Sequence, residues 1–324
     1  MLFSRTLKST SSRRFWLKNC EENSMDTSFI KGIIPPIAVP LKEDESFDEK
    51  KLRRHVDFVI DGGVSAILAF GSNGEFYMQE EDEMKDILDV MIDQVAGRVP
   101  VFMGLGAIRT SKCVRLARMG VEHGAKAVSI LQPMFLKPTD DELYTHFRTI
   151  ADSVPEVPVL LYNNPGRTGY GIPQNVVEKL AHEVENLVGM KDSSGDITQT
   201  EEFIRRNSDV DFKVMCGKDT LIYAGLCVGA VGAVCCMANF VPKMVCSIYD
   251  RFVAGDIKGS LEGQFALNPI RLQMDKSSFP VATKDYANLL GLELGAPYLP
   301  TKNSTPSQLE GLKEQLVKAG LLER

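Results

Sequence analysis

From Phe29 onward the chain alternates short apolar runs with longer charged segments in which apolar residues return every three or four positions. The runs cover residues 32–40, 64–70, 100–104, 127–132, 157–162, 187–191, 212–216 and 231–236. Each is near-continuously apolar and too short for a helix, which predicts parallel strands buried on both faces. The segments between and after them, 49–61, 80–95, 111–124, 140–153, 173–183, 197–206, 220–228 and 241–254, predict helices. Eight such strand–helix units within about 225 residues fit one kind of α/β fold, the closed (β/α)8 TIM barrel. An open doubly wound sheet would carry a G-x-G-x-x-G turn after its first strand. The nearest approach, Gly104-Leu105-Gly106, lacks the third glycine and follows the third strand.

Beyond Gly255 three further helical patterns, 258–274, 280–290 and 305–321, predict a C-terminal helical appendage, the last helix capped by Ser307. The expected organisation is a leader over 1–25, a barrel over 26–254 and a helical extension over 255–324. The leader stands apart in composition. MLFSRTLKSTSSRRFWLKNC holds five basic residues, four serines and no acid. That is the make-up of an organelle transit peptide of the mitochondrial kind, or else translation begins at Met25 and the protein is cytoplasmic.

Composition then removes several function classes. A formal charge of −6 argues against a polyanion binder, so no nucleic-acid partner is expected. The longest uncharged stretch, 221–241, is diluted by Gly225, Gly229, Gly232 and Asn239 and reads as buried core, with no membrane partner. Seven cysteines, mostly inside apolar runs and without zinc-ligand spacing, point to a reducing compartment and to no metal. The four histidines, at 55, 123, 146 and 182, all fall in helical stretches away from the strand ends.

Barrel chemistry sits at the carboxyl ends of the strands, so the polar residues there are the candidates. Strand two runs into Gly71-Ser72-Asn73-Gly74-Glu75, where free N–H groups, the Ser72 hydroxyl, the Asn73 amide and the start of a helix suit a carboxylate. The same residues also make an ordinary tight turn. Strand five ends in Tyr162-Asn163-Asn164-Pro165-Gly166-Arg167, a phenol for proton transfer followed by a guanidinium suited to a carboxylate. Strand six finishes in Lys191. An ammonium group ending an apolar strand is hard to explain by packing, unless it snorkels or pairs with Asp192. Out of water the neutral amine is favoured, and it is the nucleophile that forms an imine with a ketone. Strands five and six are neighbours, so Tyr162 and Lys191 should meet.

The motifs G-S-N-G-E, Y-N-N-P-G-R-T-G and G-M-K-D-S-S-G-D, in this order on strands two, five and six, resemble the dihydrodipicolinate synthase / N-acetylneuraminate lyase family of pyruvate-dependent class I aldolases. The resemblance spans about Phe29 to Leu322. It implies that Lys191 forms the Schiff base with pyruvate or another 2-oxo acid and that Tyr162 relays protons through Ser72. It further implies that Ser72 and Asn73 bind the pyruvate carboxylate and that the backbone at Val234 contacts the keto acid. No cofactor is implied, and the assembly implied is a homotetramer. Arg167 resembles the arginine by which the synthases hold the carboxylate of aspartate semialdehyde; sialic acid lyases lack it.

Two departures from the synthase pattern stand out. Asn73 replaces a threonine, and Pro133-Met134-Phe135 stands where synthases carry P-Y-Y, whose tyrosine reaches across a dimer interface into the proton relay. The same turns occur in aldolases that cleave 2-keto-3-deoxy sugar acids or 4-hydroxy-2-oxoglutarate. The expected function is a Schiff-base-forming lyase or synthase joining pyruvate to an aldehyde. An aldolase or dehydratase on the same lysine, and a non-catalytic binding protein, are the alternatives.

Overall fold

The computed structural model describes residues 25–323; the leader, apart from Met25, lies outside the described residues. All eight expected strands form: β1 Gly32–Ile34, β2 Ile67–Ala69, β3 Val101–Leu105, β4 Ala127–Leu131, β5 Val159–Asn163, β6 Leu187–Asp192, β7 Lys213–Cys216 and β8 Gly232–Val234. Their order, β1-β8-β7-β6-β5-β4-β3-β2, is that of a sheet rolled on itself. Every pairing is parallel. Just beyond β1 a parallel bridge joins Pro36 to Leu68, and the Ile37 N–H donates to the Leu68 carbonyl at 2.9 Å, which draws the two ends together.

The helices follow the strands in turn: α1 Glu49–Asp61, α2 Glu81–Val95, α3 Thr110–Glu122, α4 Asp140–Ala151, α5 Gln174–Glu183, α6 Ile197–Arg206, α7 Ile222–Cys227 and α8 Pro242–Val253. Their apolar stripes pack against the outer strand faces, where Ile67, Met103, Ile130, Leu161 and Met190 join the main core. The inner faces fill a second, smaller core with Ile34, Leu68, Phe102, Leu160, Met215 and Val234. Burial on both faces is why the strands read as continuous apolar runs.

One irregularity matters for the site. Along the β5–β6 pair the register shifts: Val159 pairs with Leu187, but Leu160 pairs with Gly189. Val188 is the extra residue and belongs to the inner core, so the bulge resets the alternation before the strand ends. Downstream of it Tyr162 and Lys191 are directly paired, on the same face of the sheet. Gly104 serves close approach instead of phosphate binding: a Cβ there would sit 2.7 Å from the Phe70 carbonyl oxygen and 2.8 Å from that of Ala69.

Residues past α8 form α9 Ile257–Met274, α10 Val281–Leu289 and α11 Pro306–Lys318. The cap of α11 is Thr305, not Ser307. Its side chain accepts from the Gln308 N–H while Gln308 reaches back to the Thr305 N–H, a reciprocal pair for which Ser307, already inside the first turn, is misplaced. Tyr286 of α10 stacks on Phe240 at 4.9 Å and donates to the Ile270 carbonyl, so the extension is fixed to both the barrel and α9. None of the described helices is long and apolar enough to cross a membrane.

Candidate active site

A cavity of about 350 Å³ opens at the carboxyl ends of the strands. The barrel supplies Pro36, Asn73, Tyr162, Lys191, Ser193 and Val234, and the extension supplies the opposite wall from Arg271 to Thr283. Lys191 and Tyr162 are buried to 5% and 6% exposure. The Lys191 Nζ stands 4.1 Å from the centroid of the Tyr162 ring, the contact that strand register dictates. Asp192 is not its partner. That carboxylate accepts from Asn163, Ser194 and Thr200 at 2.8, 2.9 and 2.6 Å, which uses up the ion-pair alternative for the lysine.

The Tyr162 phenol oxygen accepts from Asn164 Nδ2 at 2.7 Å and lies 3.4 Å from Ser72 Oγ. Burial alone would push this phenol up. The Lys191 ammonium and the hydrogen bonds from Ser72, Asn164 and Ser193 outweigh burial, and the phenol lies below the usual tyrosine range. An amine beside an acidified phenol can form a carbinolamine and move the protons that its dehydration requires.

The turn after β2 departs from the expected form. Ser72–Gly74 is a single 3-10 turn followed by a second at Phe76–Met78, and α2 begins only at Glu81, so no α-helix dipole faces Ser72 and Asn73. Ser72 reaches the site through Tyr162, whereas Asn73 lines the cavity itself. Thr283 Oγ1 donates to Asn73 Oδ1 at 2.8 Å, which leaves the Asn73 amide N–H groups as donors for a ligand. Phe70 and Glu75, on either side of this turn, both hold left-handed backbone at φ 57°, a cost that persists only where surroundings impose it.

Arg167 lies on the helical turn Pro165–Thr168 and is exposed at the cavity, its guanidinium 4.0 Å above the Phe279 ring. Val234 ends β8, belongs to the inner core and borders the cavity. All six candidates therefore converge, five as lining residues and Ser72 behind Tyr162.

Other members of the site were not foreseen. Asn164 and Ser193 follow Tyr162 and Lys191 by two residues, a period-two signal that would have placed them on the same face. Phe279 and Thr283 had no local signal, since only tertiary packing brings them here. Asp219 is buried, accepting from the N–H groups of Cys236 and Met237 at 3.3 and 3.0 Å and from Cys236 Sγ at 3.0 Å. Burial first, and then Asp219, push the Cys236 thiol up, so this lining cysteine is no thiolate nucleophile. The six described cysteines are free thiols.

A model of the dihydrodipicolinate synthetase family matches residues 29–318. The chain belongs to that family. The match takes in α9, α10 and α11, so the extension is part of what the family shares. The 4-hydroxy-tetrahydrodipicolinate synthase of Thermus thermophilus is 35% identical over 297 residues, covering 91% of this chain and 98% of that protein. The synthase of the same name from Methanopyrus kandleri is 32% identical over 294 residues, covering 90% and 97%. The crystal structure of dihydrodipicolinate synthase from Thermotoga maritima matches with a TM-score of 0.87 at 28% identity, over 90% of this chain and 99% of that one. Membership makes the chain an enzyme of the lyase class.

Proposed function

We propose that the protein joins pyruvate to an aldehyde through a Schiff base at Lys191, as a synthase that condenses pyruvate with aspartate semialdehyde. The observation that carries this is the buried Lys191 amine 4.1 Å from the Tyr162 ring in a cavity at the strand ends. Lys191 attacks the ketone carbon, water leaves, and the protonated imine draws electrons from the methyl group. Loss of a methyl proton to the Tyr162 relay gives the enamine, which bonds to the aldehyde carbon as the aldehyde oxygen gains a proton; water then hydrolyses the product imine and returns the Lys191 amine. Tyr162, with Ser72 behind it, carries protons to and from the oxygens. Asn73 holds the pyruvate carboxylate, whereas Ser72, expected to share that role, stays behind Tyr162 in the relay; the backbone at Val234 meets the keto acid, and Arg167 takes the carboxylate of the aldehyde.

Phe135 favours a second reading. It has no hydroxyl for the relay, and the same lysine chemistry run in reverse would cleave 2-keto-3-deoxy sugar acids or 4-hydroxy-2-oxoglutarate. Phe135 is 95% exposed on left-handed backbone at φ 75°, a costly arrangement for an aromatic ring, and a partner subunit of a homotetramer would cover it. The basic leader supports import into a mitochondrion-type organelle, tested by locating the chain with and without residues 1–24.

Borohydride reduction in the presence of pyruvate decides the central point. Covalent trapping at Lys191, abolished in Lys191→Ala, is expected. No trapping with any 2-oxo acid would sink the Schiff-base reading at Lys191. Comparing condensation with aspartate semialdehyde against cleavage of 2-keto-3-deoxygluconate and 4-hydroxy-2-oxoglutarate separates the two enzyme readings.

A further inference from the structure

Gln132 and Asn164 meet at the turn that leaves β5. Gln132 follows β4 and is fully buried. Its Nε2 donates to Thr168 Oγ1 at 3.0 Å and to the Tyr170 carbonyl at 2.9 Å, while its Oε1 accepts from the Asn164 N–H at 3.2 Å. One amide thus holds both ends of the turn that leaves β5. Asn164, at the start of that turn, donates Nδ2–H to the Tyr162 phenol oxygen at 2.7 Å.

The chemistry of that donor is specific. A carboxamide N–H stabilises negative charge on the phenol oxygen but does not itself pass on a proton at ordinary pH. It fixes one lone pair and leaves the phenol O–H free to turn towards Ser72 Oγ, 3.4 Å away.

We propose that Gln132 and Asn164 form a two-amide clamp that fixes the Tyr162 phenol and supports its anion. Both are positioning residues that act through Tyr162. The catalytic meaning of the clamp rests on the imine chemistry proposed above, whereas the clamp itself can be measured without substrate.

The Tyr162 ionisation is read as the ultraviolet difference between the full chain and its Tyr162→Phe counterpart during an alkaline titration. Asn164→Leu removes the donor and moves that ionisation upward by about one pH unit, the size of one hydrogen bond to a charged group. Asn164→Asp keeps the shape but sets a carboxylate against the phenolate, and moves it further. Gln132→Leu moves it in the same direction by less; should that variant not fold, the two Asn164 variants decide. An ionisation unmoved in both Asn164 variants overturns the clamp. So does a smaller shift in Asn164→Asp than in Asn164→Leu, because a residue of merely structural importance would be disturbed least by its isostere. In parallel, deuterium exchange of the pyruvate methyl group is followed against pH, and its Tyr162-dependent limb moves with the ionisation. If the unaltered chain neither exchanges nor traps pyruvate while the ionisation shifts as stated, the imine reading fails and the clamp stands.

Discussion

The pair Glu75–Lys284 is the severest test of how the extension supports the site. Lys284 Nζ lies 2.7 Å from Glu75 Oε2, and both side chains are 2% exposed. Glu75 Oε1 also accepts from the Tyr298 N–H at 3.0 Å, and Lys284 donates to the Ala296 carbonyl at 3.0 Å. Lys284→Met leaves a carboxylate buried without its counter-charge, which costs about 3–5 kcal/mol. Glu75→Gln keeps the shape, leaves the ammonium unpaired, and falls in the same range. Removing both charges together in Glu75→Gln/Lys284→Met is expected to restore much of the loss, because neither buried charge then lacks a partner. Urea unfolding reads this as a lowered midpoint at unchanged slope. A Lys284→Met midpoint within about 0.5 kcal/mol of the unaltered chain would refute the reasoning, as surface substitutions usually fall there. A double variant as weak as the two losses added would do the same.

Three further outcomes are expected. Burial holds both His55 and His146 down to about 4, with the Asn239 hydrogen bond opposing the shift at His55. Free histidine titrates near 6.5, so the unfolded chain binds more protons below that value, and stability falls as pH drops from about 6.5 to about 4, by up to about 3 kcal/mol for each ring. Urea midpoints at pH 7.5, 6 and 5 measure it, and an unchanged midpoint would contradict it. Phe279→Ala removes the ring under Arg167 and is expected to raise the KM for the carboxylate-bearing aldehyde several-fold, about 1 kcal/mol, with pyruvate trapping untouched; an equal effect on both would unseat Arg167 from its assigned carboxylate. Gly104→Ala should cost about 1–3 kcal/mol in thermal or urea unfolding, because its Cβ meets backbone oxygens that cannot turn aside.

The barrel was legible because its signal is local. Strands buried on both faces, such as 127–132 and 187–191, have no polar alternation to confuse with loop, and the helices between them repeat at their own period. The pairing of Tyr162 with Lys191 followed from strand order alone, although the bulge at Val188 that makes it work left no mark in the sequence. The turn at Ser72 misled because a glycine pair before an acidic helix looks the same whether the helix starts at once or six residues later. Ser307 misled for a similar reason: Thr305 and Ser307 are both good caps, and only the reach of Gln308 chooses between them. The wall formed by Phe279 and Thr283 was invisible, since its residues meet Arg167 and Asn73 across long stretches of chain.

That wall also sets an order of events during synthesis. Thr283 and Lys284 bind the turn after β2 some two hundred residues after that turn has left the ribosome. The barrel can carry its lysine and phenol well before Asn73 and Glu75 have the contacts that hold them. A chain clipped near Gly255 would keep Lys191 and Tyr162 but lose the wall from Arg271 to Thr283 that encloses them.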